Sequence, residues 1–253
     1  MGDTKIAVIT GGSRGLGRNG AIALAKRGVH SVITYQSKRD AAEETVREVE
    51  KLGAKAVALQ LDTSKPGSFA DFAGALKSAL QATWKRDRFD YLVNNAGTGL
   101  HKGFAETSEA DFDALVNVHL KGPYFLTQRL LPLIADGGRI LNVSTGLARF
   151  VVPGYSAYAS MKGGIEVLTR YLAKELGPRG ISVNTLAPGA IATDFNGGAV
   201  RDNPQMQAML SGFTALGRVG QADDIGPVIA SLLDEGNRWV TGQRIEASGG
   251  MFL

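Results

Sequence analysis

The chain contains no cysteine, which excludes disulfide staples, thiol nucleophiles and cysteine-ligated zinc, and suits a reducing compartment such as the cytoplasm. Histidine is nearly as scarce. His30, His101 and His119 stand far apart without metal-ligand spacing, so no metal site is expected. No apolar run reaches the roughly 18 residues that a membrane span requires. Residues 1–6 show no basic-then-apolar leader, and Ile6 stands where a myristoylation signal places Ser or Thr. A soluble, unprocessed chain is the expectation. The basic excess is small, 28 Lys+Arg against 24 Asp+Glu, and its members are scattered rather than gathered into a stripe. Nucleic acid is therefore not an expected partner.

What is present is an ordinary globular composition, 44% hydrophobic and 21% charged over 253 residues, enough for one full core and one domain. Short apolar runs at 5–10, 31–35, 54–61, 91–94, 139–144, 181–186 and 244–247 read as strands. They alternate with helical spacing at 16–27, 40–52, 69–84, 109–134, 156–176 and 221–234. Seven strands alternating with helices predict an α/β fold: a doubly wound, Rossmann-like parallel sheet of seven strands with helices on both faces. The stretch 189–220 is irregular and follows the sixth strand, where such sheets bind ligands. Phe195, Met206, Met209 and Phe213 within it need something to cover, so it reads as a loop closing over a substrate.

Two patterns carry chemistry. Thr10-Gly11-Gly12-Ser13-Arg14-Gly15-Leu16-Gly17 joins the first strand to the first helix, where glycines allow backbone N–H groups to approach a pyrophosphate at the helix N-terminus. Tyr158 and Lys162 lie four apart on a helix and share a face. A close ammonium favours phenolate, and bringing a phenol near neutrality takes about 4 kcal/mol, which that cation plus a bound nicotinamide charge can supply. Tyr158 then serves as general acid in reduction and general base in oxidation. Spacing alone is cheap, since about 0.3 such pairs arise by chance in a chain of this composition. The conjunction with the other motifs, in order, is what counts.

Taken together, the glycine turn, Asn94-Asn95-Ala96-Gly97, Tyr158-Ala159-Ser160-Met161-Lys162 and Pro188-Gly189-Ala190-Ile191-Ala192-Thr193 make the chain resemble the short-chain dehydrogenase/reductase family from Lys5 to Met251, including its 3-oxoacyl carrier-protein reductase and glucose dehydrogenase-like members. The resemblance implies that Gly11, Arg14, Gly15, Leu16, Asp62, Asn95, Gly97, Ile191 and Thr193 line a dinucleotide, with Asp62 near the adenine and Lys162 also on the nicotinamide ribose. Ser13, Tyr35, Ala96, Pro188 and Gly189 complete the candidate cofactor set with Tyr158 and Lys162. The second strand ends in Thr34-Tyr35-Gln36-Ser37-Lys38-Arg39 without the carboxylate that accepts from a ribose 2′-OH. Arg14, Ser37 and Lys38 can instead hold a 2′-phosphate, so NADP(H) is the expected cofactor.

The sequence departs from the family pattern twice. The carbonyl-polarising hydroxyl, usually a Ser thirteen positions before the Tyr, falls on Thr145, with Ser144 beside it as the alternative. His119 stands where the family has an Asn that helps hold a water leading to the lysine. An imidazole there is expected to titrate near neutral pH and mark the pH profile. The function read from all this is hydride transfer between nicotinamide and a carbonyl or secondary alcohol. The alternatives are 3-oxoacyl thioester reduction within the enzyme class and, outside it, a catalytically silent dinucleotide-binding regulator. The resemblance further implies a homotetramer, and the apolar ending Gly249-Gly250-Met251-Phe252-Leu253 is expected to be covered at a subunit interface.

Overall fold

Side chains of the first strand alternate between two apolar environments: Ala7 and Ile9 join one core cluster, Ile6 and Val8 the other. A strand buried on both faces belongs in the middle of a helix-covered parallel sheet. The computed structural model describes residues 4–253; Met1, Gly2 and Asp3, on which the expectation of a leaderless start depends, lie outside the described residues. Strands β1 (Ile6–Ile9), β2 (His30–Tyr35), β3 (Ala56–Gln60), β4 (Phe89–Asn94), β5 (Ile134–Val143), β6 (Ser182–Pro188) and β7 (Arg244–Ala247) form one sheet. It is parallel throughout and ordered β3-β2-β1-β4-β5-β6-β7. The strand order reverses between β1 and β4, and the crevice beyond their carboxyl ends is where a doubly wound sheet receives a ligand.

One face is covered by α1 (Gly15–Ala25), α2 (Arg39–Lys51) and α8 (Ala222–Leu232). The other carries α3 (Phe69–Trp84), α4 (Glu109–Val116), α5 (Gly122–Leu130) and α6 (Ser156–Leu176), while α7 (Pro204–Gly212) lies in the excursion after β6. The helix at 69–84 and the strand at 244–247 have the expected bounds. The stretch 109–134 does not: it is α4, a π-helical turn at Asn117–Lys121, α5 and a short 3-10 turn, and Ile134 already begins β5. The irregular 189–220 stretch likewise holds a helix, α7, capped by the Asn203 side chain.

Beneath the crevice runs a buried polar chain. Asn94 Nδ2 donates to Asn142 Oδ1 at 2.8 Å, and Asn142 Nδ2 donates to Thr169 Oγ1 at 2.9 Å. Thr185 Oγ1 meets the same hydroxyl at 2.8 Å. Thr169 in turn donates to the Ile165 carbonyl at 2.9 Å, so its single proton and both lone pairs are used. The chain ties β4, β5 and β6 to helix α6 within the apolar core.

The expected burial of the carboxyl end is met differently. Met251 is buried within its own chain, and the Phe252 ring lies 4.8 Å from both Phe150 and Phe213. Only Leu253 is left fully exposed, so no second subunit is needed to explain the apolar tail.

Candidate active site

A cavity of about 650 Å³ opens at the carboxyl ends of the strands, and every residue expected at the site lines it. The glycine turn contributes Gly11, Ser13, Arg14, Gly15 and Leu16, and the end of β2 contributes Tyr35, Ser37 and Lys38. Asp62 follows β3, Asn95, Ala96 and Gly97 follow β4, and Pro188, Gly189, Ile191 and Thr193 follow β6. Thr145, Tyr158 and Lys162 also line the cavity.

At the dinucleotide end the residues fit the cofactor. Helix α1 starts without an acidic residue in its first turn and without a side-chain cap, leaving its first N–H groups for an anion. Gly15 has φ +54°, and a Cβ there would meet nothing nearer than Thr193 at 3.9 Å, so the turn is open on its cavity side. No carboxylate stands at the end of β2. Arg14 faces Asp194 at 3.7 Å but remains largely exposed, free to meet a phosphate. Asn95 lines the cavity, yet its amide is committed to the fold, donating to the carbonyls of Thr10 at 2.9 Å and Gly11 at 3.1 Å.

The helical spacing of Tyr158 and Lys162 does place them on one buried face of α6. Their electrostatics differ from expectation. Lys162 Nζ donates to the Val143 carbonyl at 2.7 Å and sits 5.8 Å from the phenol ring centre. Burial pushes the Tyr158 phenol above its ordinary value, with the neighbouring Thr145 hydroxyl opposing, and brings the Lys162 ammonium down to about 8. The lysine alone therefore does not acidify the phenol; in the free protein the phenol keeps its proton.

Ser144 and Thr145 occupy successive extended positions, so their side chains point to opposite sides. Ser144 Oγ donates to Glu166 Oε1 at 2.7 Å and is spent. Thr145 Oγ1 accepts from the Leu147 N–H at 3.3 Å, which leaves its own proton for the Tyr158 oxygen or another oxygen in the cavity. The geometry favours Thr145 over Ser144 as the free hydroxyl.

His119 lies in the π-helical turn, buried, with its ring edge-on to Tyr158 at 5.1 Å. Burial, then the nearby Lys162 charge, drive its pKa down to about 3 against the contact with Thr98. The expectation of a group titrating near neutrality is therefore corrected: the ring is neutral throughout that range. Gly97 makes room for it, since a Cβ there would stand 2.8 Å from His119 Cε1.

Of the opposite wall the sequence points to Phe195, Met206 and Met209; Phe213, expected beside them, stacks on Phe252 away from the cavity, and the remaining residues are not singled out in the sequence. Phe150, Tyr155, Met251 and His101 line the cavity, as do Phe195, Met206, Met209 and Leu210 from the excursion after β6. His101 packs on Tyr155 at 4.9 Å, and Phe195 lies 6.0 Å from the Tyr158 ring. The apolar content of 189–220 was visible in the sequence. Tyr155, three residues before Tyr158 on the same helix entry, was a signal left unused. Among the described residues no cluster of His, Asp or Glu could hold a metal, and no helix is long and apolar enough to cross a membrane.

The family model described as enoyl-(acyl carrier protein) reductase matches residues 11–252. A hydroxynaphthalene reductase-like protein of Metarhizium brunneum is 35% identical, over 97% of this chain and 94% of that one. Among solved structures, the promiscuous reductase LugOII, which catalyses keto-reduction at C1 during lugdunomycin biosynthesis, is 37% identical with a TM-score of 0.94 over 99% of both chains. The angucycline C-6 ketoreductase LanV with bound NADP is 35% identical, also at TM-score 0.94, over 99% of this chain and 96% of that one. Matched from the glycine turn to the tail in sequence and in fold, the chain belongs to the short-chain dehydrogenase/reductase family.

Proposed function

We propose that this chain, an NADP(H)-dependent oxidoreductase of the C=O/CH–OH couple, reduces an uncharged ketone carried on an aromatic ring system. The observation that carries the reading is the make-up of the cavity wall facing Tyr158 and Thr145: Phe150, Tyr155, Phe195, Met206, Leu210 and Met251. Aromatic and thioether side chains of this kind suit a flat, polarisable substrate. The acidic and basic residues of the cavity, Arg14, Lys38, Asp62 and Asp194, belong to the dinucleotide side, and Lys162 is buried beneath the phenol. Support also comes from the relative named for hydroxynaphthalene reduction and the two ketoreductases. A 3-oxoacyl thioester, with its phosphate-bearing arm, finds no cation in that wall and is less well supported. The silent-regulator alternative is not favoured, because both Tyr158 and Lys162 are in place.

In this reading the Tyr158 hydroxyl gives its proton to the carbonyl oxygen while Thr145 Oγ1 donates a hydrogen bond to the same atom. The dinucleotide, when bound, supplies the hydride. Lys162 would hold the ribose, and its ammonium would stabilise the phenolate left on Tyr158. The segment 189–220 covers the substrate through Phe195 and the Met206 and Leu210 side of α7. The test is NADPH oxidation by purified protein against a carbonyl panel. Turnover of naphthalene-type ketones well above that of aliphatic ketones and 3-oxoacyl thioesters is expected; the reverse order defeats the substrate assignment.

We further propose self-association, up to a tetramer, through the helix face bearing Phe112, Tyr124, Phe125, Val167 and Tyr171, each at least 40% exposed. A patch of that kind is better covered. Light scattering at micromolar concentration checks it, and a monomer mass would refute it. A cytoplasmic location, consistent with the cysteine-free composition, is checked by cell fractionation.

A further inference from the structure

Three consecutive residues at the end of β5 are each gripped by a different group. The Val143 carbonyl takes the Lys162 ammonium, the Ser144 hydroxyl goes to Glu166 Oε1, and the Thr145 carbonyl accepts from Arg244 Nη2 at 3.2 Å. The last two grips are one device, because Arg244 Nε donates to the same Glu166 Oε1 at 2.8 Å. Glu166 is one turn beyond Lys162 on α6, and Arg244 opens β7, so the pair joins the catalytic helix to the far strand. Arg244 Nη1 continues to Glu246 at 2.8 Å, and Glu246 is held by both Arg149 and Ser248 at 2.7 Å. Arg149 then donates to the Met251 carbonyl at 2.8 Å, and Met251 lines the cavity.

We propose that Glu166 and Arg244 are positioning residues for Thr145, a clamp that sets the orientation of its hydroxyl through the neighbouring Ser144 side chain and the Thr145 carbonyl. Neither residue lines the cavity. The physical need follows from Thr145 itself. Its β-branch restricts χ1, so the direction of Oγ1 follows the backbone at that position, and a small backbone rotation misaims the donor. Both partners are mostly buried, with side chains 14% and 22% exposed, and the guanidinium spends three separate nitrogens on three acceptors. A lysine has a single nitrogen and cannot reproduce that fork.

The inference rests on the reading of Thr145 as the substrate-facing hydroxyl, and a double-mutant cycle in kcat separates the two. Arg244→Lys is expected to lower kcat about tenfold or more, with KM for the ketone and the NADPH dissociation constant within twofold of the parent. Made in the Thr145→Ala background, the same change is expected to cost less than twofold, because the group it positions is gone. Equal losses in both backgrounds, or no loss in the parent, overturn the clamp. An unchanged kcat in Thr145→Ala alone instead overturns the reading of Thr145. Should Arg244→Lys not fold, Glu166→Gln carries the same cycle: it keeps an acceptor for Ser144 but loses the charge that fixes Arg244. The same pair of outcomes decides it.

Discussion

His119 Nε2 lies 2.8 Å from the Thr98 carbonyl oxygen and 3.4 Å from the Thr98 nitrogen; because a carbonyl can only accept, the shorter contact favours the ring proton on Nε2. Nδ1 is then a buried acceptor without a partner among the described residues. The family position usually held by an amide is here held by a neutral imidazole, T-shaped to the Tyr158 ring at 5.1 Å.

Its protonation has a thermodynamic consequence. The folded value is about 3 and the ordinary one 6.5, so between those limits the unfolded chain binds a proton that the folded chain refuses. Stability contributed by His119 is complete above 6.5 and falls as the pH drops toward 3, by up to about 1.4 kcal/mol per pH unit. Urea unfolding at pH 7 and pH 5 should show a smaller difference for His119→Asn than for the parent. The variant should remain active, and the parent should show no histidine step in its reduction profile near neutrality. A parent step lost in the variant would restore the titrating relay.

Gly97→Ala should be destabilising by about 1–3 kcal/mol through overpacking, since the added methyl meets the His119 ring, which cannot retreat from Tyr158. Turnover should fall as the phenol shifts. Combining the change with His119→Asn should recover most of both losses, because the asparagine lacks the atoms that clash. Additive losses would place the strain elsewhere.

Lys162 sits at about 8 before any ligand binds. Its charge is therefore present below that pH and lost above it. NADPH affinity, followed by nicotinamide fluorescence, should weaken as the pH rises through about 8. In Lys162→Met it should be weaker and flat across that range. A parallel pH dependence in the two proteins would refute contact between the ammonium and the cofactor.

Tyr158→Phe should abolish turnover with NADPH binding almost intact, as the ring still packs and only the transferable proton is removed. Weakened binding to the same degree as in Lys162→Met would show that the hydroxyl holds the cofactor rather than the substrate proton.

We propose that Arg14, Ser37 and Lys38 set a preference for NADPH over NADH. Lys38→Glu should reduce kcat/KM for NADPH by about tenfold or more and leave NADH nearly unaffected. Equal losses for both coenzymes would indicate general damage to the turn.

What could be read from the sequence is what short-range periodicity encodes. Tyr158 and Lys162 share a helix face because they are four apart, and the glycine turn follows the first strand directly. The break in 109–134 carries a local mark, Pro123 in the first turn of α5, but the packing against it does not: a Cβ on Gly122 would clash with the Thr63 carbonyl oxygen, and only the fold brings Thr63 there. The choice between Ser144 and Thr145 was likewise unreadable. It is made by Glu166, 22 residues on, and Glu166 is in turn held by Arg244, 78 residues further. For His119 the residue type is legible in the chain but its burial is not, and burial is what removes its charge.

The buried chain Asn94–Asn142–Thr169–Thr185 acts as a dowel. Parallel strands that are apolar on both faces have little in their side chains to forbid sliding by a step, and a helix laid across them can rotate at small cost. Four hydrogen-bonding side chains that fit only one alignment remove both freedoms, and Thr169 lies two turns from Lys162 on the same side of α6. The helix that carries Tyr158 and Lys162 is thereby seated from below the cavity floor, by contacts separate from the aromatic and methionine wall above.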